Sequence, residues 1–278
     1  MEYIIHRRWI FIPNNLYNLL SEFKKISNMK WIKSIDKGSG SIGLTFERNL
    51  NKKPDSTFFP DYAGIEIKCT TRYSRFPLSL LSLAFEGPTY PEINRILSLY
   101  GYPDYKYRNK NVLKVDVSCG SIKKCGNYKF ALYLDEIENK IYLEVYDLED
   151  NLLERKSFLY LDSFLKHIKL KLSLLAIIKA SKKVIDEETY FRYYKFTGYK
   201  LVENSKIIEL LKNGTIFATL ESRVGKSSYN SGKYKNKNLV FKINKEDINK
   251  LFIKINELDT DYNSNKVFDR PTGFYIMP

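Results

Sequence analysis

The chain has 278 residues, and 44% are hydrophobic against 28% charged. That balance excludes a disordered chain and allows one large domain or two modest ones. Lys and Arg number 46 against 32 Asp and Glu, a formal charge of +14, which favours a polyanionic partner, nucleic acid before an anionic membrane. Abundant Ile, Lys, Asn and Tyr also fit a Lys- and Asn-rich proteome, so charge alone decides little. The longest apolar stretch, LKLSLLAIIKA from Leu170 to Ala180, is interrupted by Lys171 and Lys179 and is far shorter than the ~20 residues of a membrane span. Cys69, Cys119 and Cys125 form no CxxC pair, so neither a zinc site nor a disulfide framework is expected. With no secretory pattern in MEYIIHRRWIFIPNN, the expected compartment is the reducing cytoplasm.

In chain order, NNLYNLLSEFKKISN (Asn14 to Asn28) spaces Leu16, Leu19, Leu20 and Phe23 as one helix face. The glycine- and serine-rich KGSGSIG then leads into IGLTFERNLN, where Ile42, Phe46 and Leu50 share a helix face. Pro54 and Pro60 punctuate a loop before a strand in GIEIKCTT, and RFPLSLLSLAFEG (Arg75 to Gly87) is compatible with strand or helix. Strands are predicted at VLKVDVS, KFALYLDE and KIYLEVYD, the last two forming a hairpin. A helix is predicted from about Leu161 to Ser181, a strand pair in TYFRYYKFTGYKLV, and a short helix from Ser205 that stops at Gly214. TIFATLESRV and NLVFKINK read as strands, KEDINKLFIKIN as a closing amphipathic helix, and the tail from Asp259 as polar and irregular. The pattern is mixed α and β without the strand–helix alternation of a doubly wound sheet.

One segment carries chemistry. In FFPDYAGIEIKCTTR, Glu66 and Lys68 alternate with Ile65 and Ile67, so on a strand the two charged side chains share one face. Asp61 stands just upstream, and Gly64 permits the chain to bend it into reach. Two converging carboxylates suit a hard divalent cation, and a neighbouring lysine can orient water or meet charge on a phosphate. An E-x-K tripeptide is also common as a solvated surface pair. Pro54-Asp55 precedes the same tripeptide at a longer gap, and Glu138-Asn139-Lys140, with Pro103-Asp104 upstream, is a second set at an expected hairpin tip.

The run GSIGLTFERNLNKKPDSTFFPDYAGIEIKCTT resembles the catalytic segment of MutH-like and MvaI/BcnI-type restriction endonucleases, within the PD-(D/E)xK nuclease class. The matching positions are Gly43 and Glu47 on a helix, then Pro60-Asp61-Tyr62, then Gly64-Ile65-Glu66-Ile67-Lys68. A weaker likeness extends over the C-terminal half, where strand, basic loop, strand and helix follow in order. Some members carry a histidine in that loop; here the only histidines are His6 and His167, so the base preference such a histidine implies does not carry over.

The resemblance implies a mixed α+β fold with a restriction-endonuclease-like core: a mixed central sheet flanked by helices, and two lobes around a DNA cleft. Residues 1–120 would form the catalytic lobe, with core strands continuing later in the chain, and residues 121–278 the remaining core and the recognition lobe. It implies that Asp61, Glu66 and the carbonyl of Ile67 ligate Mg²⁺, with Glu47 holding the metal shell or a second ion. Lys68 would orient the attacking water or stabilise the pentavalent phosphate. The implied function is a type II restriction endonuclease cutting a short site in double-stranded DNA. A MutH-like strand-nicking repair nuclease and an inert basic DNA-binding module are the alternatives. A monomer that cuts the strands in turn is expected, with a cognate DNA methyltransferase as partner and no membrane.

Lys206 to Lys245 holds nine Lys or Arg against two Glu. Within it, Arg223, Lys226, Tyr229, Lys233 and Lys235 are candidate DNA contacts, Arg223 for a base because a guanidinium bridges guanine acceptors. A solvated loop is the plain reading of the same composition. Arg72 is a further candidate for the phosphate backbone.

Overall fold

The periodic leucines of Asn14–Asn28 do form a helix, and Leu16, Leu19, Leu20, Phe23 and Ile26 are all buried along it. The structure is a computed structural model that describes residues 13–38, 40–51, 59–226, 231–262, 264–270 and 273–276, with side chains described through residue 262 except at 236–238. The chain divides into two units.

The first unit takes residues Met1–Arg75, Lys169–Val202 and Phe252–Pro278. Its seven-stranded sheet runs, in pairing order, Gly273–Ile276, Ser264–Arg270, Phe252–Asp259, Glu188–Leu201, Leu174–Ile185 and Ile65–Thr71, with Ile32–Lys33 also paired to Glu188–Leu201. Ile65–Thr71 and Leu174–Ile185 pair in parallel, from Ile65 opposite Leu174 to Thr71 opposite Ala180. The helices Asn14–Asn28 and Ser41–Asn49 cover one face. Leu16, Leu19, Phe23, Ile42 and Phe46 share a core with Ile65, Ile67, Ala176, Ile178, Tyr193 and Phe196. Each such apolar side chain contributes about 1.5–3 kcal/mol on burial. Tyr193 adds a hydrogen bond from its hydroxyl to the Ile42 carbonyl at 2.7 Å, which ties the second helix to the sheet.

Four expectations are corrected here. The predicted Leu161–Ser181 helix ends at Leu172, and Leu174–Ile185 is a strand. Its unbroken run Leu174 to Ile178 suits a central strand covered on both faces, and a short apolar run does not by itself tell strand from helix. The predicted strand pair is one strand, Glu188–Leu201. Gly198 is not a turn there: a Cβ would sit 2.2 Å from Asn256 Oδ1 and 2.8 Å from Leu16 Cδ2, so glycine marks close approach of neighbours. The predicted closing helix shrinks to Ile248–Leu251, and Phe252–Asp259 is drawn into the sheet by pairing with Lys195–Leu201. The tail is also ordered as strands Ser264–Arg270 and Gly273–Ile276.

The second unit takes Phe76–Ile168 and Glu203–Leu251. A single division at residue 120 would fall inside it. The first unit is discontinuous because its sheet is completed only by strands from late in the chain. Leu78–Leu83, Tyr234–Ile243, Ile216–Val224, Asn111–Val117 and Tyr102–Pro103 form one antiparallel sheet; Lys123–Cys125, Tyr128–Asp135, Lys140–Tyr146 and Leu152–Tyr160 form another. The predicted hairpin is present, with Asp135 opposite Lys140. Helix Glu92–Tyr100 is pinned by an ionic network. Arg95 donates to Glu92 at 2.5 Å, to Glu154 at 2.8 Å and to Ser157 at 3.1 Å, and Tyr100 donates to Glu154 at 2.8 Å. Burial opposes ionisation of Glu92, but hydrogen bonds from Arg95, Ser157 and Thr89 outweigh it and hold the carboxyl below its ordinary range. Glu154 is likewise held low, first by Arg95, against burial.

Candidate active site

Pro60 and Asp61 lead into a tight reversal in which Tyr62 and Ile65 exchange backbone hydrogen bonds of 2.9 and 2.8 Å. Gly64 takes φ +84° there, a conformation glycine adopts without steric cost. The reversal folds Asp61 back beside the strand it precedes, where its Oδ2 accepts the Ile67 N–H at 2.8 Å. A strand residue's N–H and C=O point to the same side, so the Ile67 carbonyl lies on that side too. Among the described residues this strand ends the sheet's pairing order, so the side facing Asp61 is not taken by another strand.

Across the pleat, Ile65 and Ile67 join the core, while Glu66 and Lys68 project together from the other face. Glu66 is only 1% exposed. Lys68 Nζ donates to its Oε1 at 2.5 Å. Lys171 Nζ lies 3.4 Å from Oε2, an ion-pair distance beyond good hydrogen-bond contact, and Oε2 is buried without a hydrogen-bond partner. Burial pushes the Glu66 carboxyl up; Lys68 and Lys171 pull it down, and the Asp61 charge adds to the rise.

Glu47 follows buried Phe46 on the Ser41–Asn49 helix. Burial raises the Cys69 thiol well above its usual range, and the charges of Glu47 and Asp61 raise it further against Lys68. Both carboxylates are therefore within electrostatic reach of one residue on the Glu66 strand. Among the described residues no three Asp, Glu, His or Cys side chains form a metal-holding cluster. The structure brings together Asp61, Glu66, Lys68 and the Ile67 carbonyl, with Glu47 sharing their field. Asp55 lies outside the described residues. The rival Glu138–Lys140 set is a hairpin ion pair at 3.0 Å, half-exposed at Glu138, and Asp104 is engaged elsewhere.

The candidate DNA contacts fall in two places. On the hairpin of the second unit, Arg223 stands opposite Lys235, with its Nε 3.4 Å from Glu221. Lys226 pairs with Asp104 at 3.1 Å and lies 3.4 Å above the Tyr105 ring. Beyond it, Gly225 donates to the Lys233 carbonyl at 2.8 Å, and Gly232 donates to Gly225 at 3.0 Å. The hairpin is anchored by Lys110 on the Gly232 carbonyl and by Tyr107 on Ser231 at 2.6 Å. Lys233 and Lys235 are exposed, and Tyr229 lies outside the described residues. Arg72 belongs to the first unit, where it stacks over Tyr194 at 4.4 Å and donates to Asp261 at 2.5 Å.

Lys171 entered the sequence analysis only as a charge that interrupts the apolar stretch from Leu170, and it lies on the Leu161–Leu172 helix. Its one signal was a lysine at the edge of an otherwise apolar run.

A family model described as the MvaI/BcnI restriction endonuclease family matches residues 20–252. Two solved structures are similar: the restriction endonuclease MvaI in complex with cognate DNA substrate, at 24% identity and TM-score 0.80, and MvaI in the absence of DNA, at 21% and 0.54. Each match covers 88% of this chain and 98% of the other. No curated protein matches. The mixed α+β fold expected from the sequence is the one observed.

Proposed function

Because the chain belongs to the MvaI/BcnI restriction endonuclease family, we propose that Asp61, Glu66 and Lys68 are its hydrolytic centre, acting with Mg²⁺ on a short specific sequence in double-stranded DNA. The observation that carries this reading is Glu66 Oε2, a buried carboxylate oxygen without a hydrogen-bond partner, in a carboxylate that feels the Asp61 charge. An oxygen-only donor set of this kind suits a hard divalent cation. Asp61, Glu66 and the Ile67 carbonyl would hold it, with Glu47 completing the shell. When bound, such an ion polarises the phosphoryl oxygen and lowers the pKa of water.

The protein's own groups do the rest. Ile65 and Ile67 lock the strand into the core, so the carboxylates are positioned without rearrangement. The Ile67 N–H fixes the Asp61 carboxylate. Lys68, 28% exposed at its side chain, orients water and meets the charge that develops on the phosphate. Arg223, Lys226, Tyr229, Lys233 and Lys235 would read and hold the duplex, Arg223 at a base edge and the lysines at phosphates. Arg72 would meet the backbone. We further propose a cytoplasmic monomer that cuts the two strands in turn and is matched by a methyltransferase protecting the same site.

Incubation of a mapped plasmid with Mg²⁺, with EDTA in parallel, followed by sequencing of the ends, tests this reading. Discrete double-strand breaks with Mg²⁺ alone support it. Nicks in one strand only would favour the mismatch-repair type, and absence of metal-dependent cleavage would refute the assignment.

A further inference from the structure

We propose that Arg72 and Arg192 form a clamp for one DNA backbone phosphate, and that Asp261 stands in for that phosphate in the free protein. This rests on the nuclease reading above and adds to it a second binding point and a release step.

The Asp261 carboxylate is shared by two guanidinium groups. Arg72 Nη2 reaches its Oδ2 at 2.5 Å, and Arg192 Nη1 reaches its Oδ1 at 3.0 Å, with Nη2 at 3.3 Å from Oδ2. Two forked cations on one small anion is the geometry in which arginine takes up phosphate as readily as carboxylate. The charge is unbalanced, since one acid faces two guanidinium groups, and Lys183 lies 4.3 Å above the Trp31 ring that Arg192 also approaches at 5.8 Å. Arg192 Nε is buried without a hydrogen-bond partner, so Asp261 does not satisfy every donor of this guanidinium group. Arg72 is held in place from behind, stacked on Tyr194 and donating to its hydroxyl at 3.2 Å.

Position favours the same conclusion. The Arg72 N–H donates to the Ala180 carbonyl at 3.1 Å, so sheet pairing continues one residue beyond the Ile65–Thr71 strand. Arg72 thus directly follows the strand that carries Glu66 and Lys68, at the start of a turn closed by the Ser74 N–H on the Thr71 carbonyl at 3.3 Å. Six residues of strand separate Arg72 from Glu66 by about 20 Å, a span of about six base steps along one DNA strand. The two arginine side chains are 36% and 34% exposed and the Asp261 side chain 17%, so both cations reach solvent while the carboxylate between them is largely covered. A phosphate in place of Asp261 keeps an anion between the two guanidinium groups, so the exchange leaves neither cation unpaired.

The competing account makes Asp261 a pin that merely joins strand ends. Binding of the full-length protein to a labelled random-sequence duplex, without divalent ion and across a salt series, separates the two. Asp261→Asn is expected to bind about three- to tenfold tighter, because two cations lose their internal anion. Arg72→Gln and Arg192→Gln are each expected to bind more weakly and to lower the salt slope by about one. Weaker binding by Asp261→Asn at an unchanged melting temperature, or unaltered salt slopes in both arginine variants, would overturn the clamp. Should Asp261→Asn fail to fold, the arginine slopes decide. If the wild-type protein neither binds nor cuts duplex DNA, the nuclease reading itself falls. If it does both while all three variants match it, only the clamp falls.

Discussion

Lys171 Nζ lies 3.4 Å from Glu66 Oε2, the oxygen that Lys68 does not hold. Two ammonium groups therefore flank one buried carboxylate, Lys68 from its own strand and Lys171 from far along the sequence. A divalent ion at Glu66 would have to work against both positive charges. Lys171→Met is expected to lower the Mg²⁺ concentration needed for half-maximal cleavage, since one repelling charge is gone. It is also expected to lower the maximal rate about tenfold, through lost stabilisation of phosphate charge. A magnesium titration of cleavage rate reads both effects.

Glu66 places stability and chemistry in conflict. Burial lifts its carboxyl above the ordinary 4.5, so between that value and the raised one the native state binds more protons than the unfolded state. Stability then falls as pH rises through this window. In the metal-free protein at neutral pH, Glu66→Gln is expected to melt at a higher temperature than wild type, with the advantage shrinking toward about pH 4. The same substitution is expected to reduce metal-dependent cleavage by about 100-fold or more. Thermal melts at two pH values and a cleavage assay check the pair; a destabilised Glu66→Gln would contradict it.

Arg95 has the opposite sign of pH dependence. Glu92 and Glu154 are both held below their ordinary 4.5 by it. Their contribution is present above that pH and is lost as pH falls through the depressed values. Arg95→Met leaves two buried carboxylates uncompensated and is expected to cost about 3–5 kcal/mol. Its stability should then improve on mild acidification, while that of the wild type declines. Denaturant melts across that range provide the measurement.

Arg223 is half-exposed on the second unit's hairpin, next to Lys235. Arg223→Ala is expected to lose about 1–3 kcal/mol of discrimination at one base position. Cutting rates on the cognate site and on singly substituted sites should converge, while Lys233→Ala should weaken binding evenly across sequences.

The local placement of Glu47, Asp61, Glu66 and Lys68 was legible in the sequence because short-range geometry sets it. A pleat puts Glu66 and Lys68 on one face, a glycine turn returns Asp61 to the strand edge, and Phe46 orients the helix that carries Glu47. The hairpin of Lys140 and the strands on either side of the basic loop were readable for the same reason. Lys171 and Asp261 were not. Their roles depend on partners about a hundred residues or more away in sequence, Glu66 for one and Arg72 for the other, and no periodicity records such pairings. Leu174 to Ile178 shows the limit most plainly: a short apolar run is compatible with helix or strand, and the choice was made by the open edge of Ile65–Thr71, which offered it a parallel ladder. The sequence by itself determined the chemical groups and their local geometry. Only tertiary pairing decided what surrounds them, because burial and ion pairing are properties of the assembled sheet rather than of any one segment.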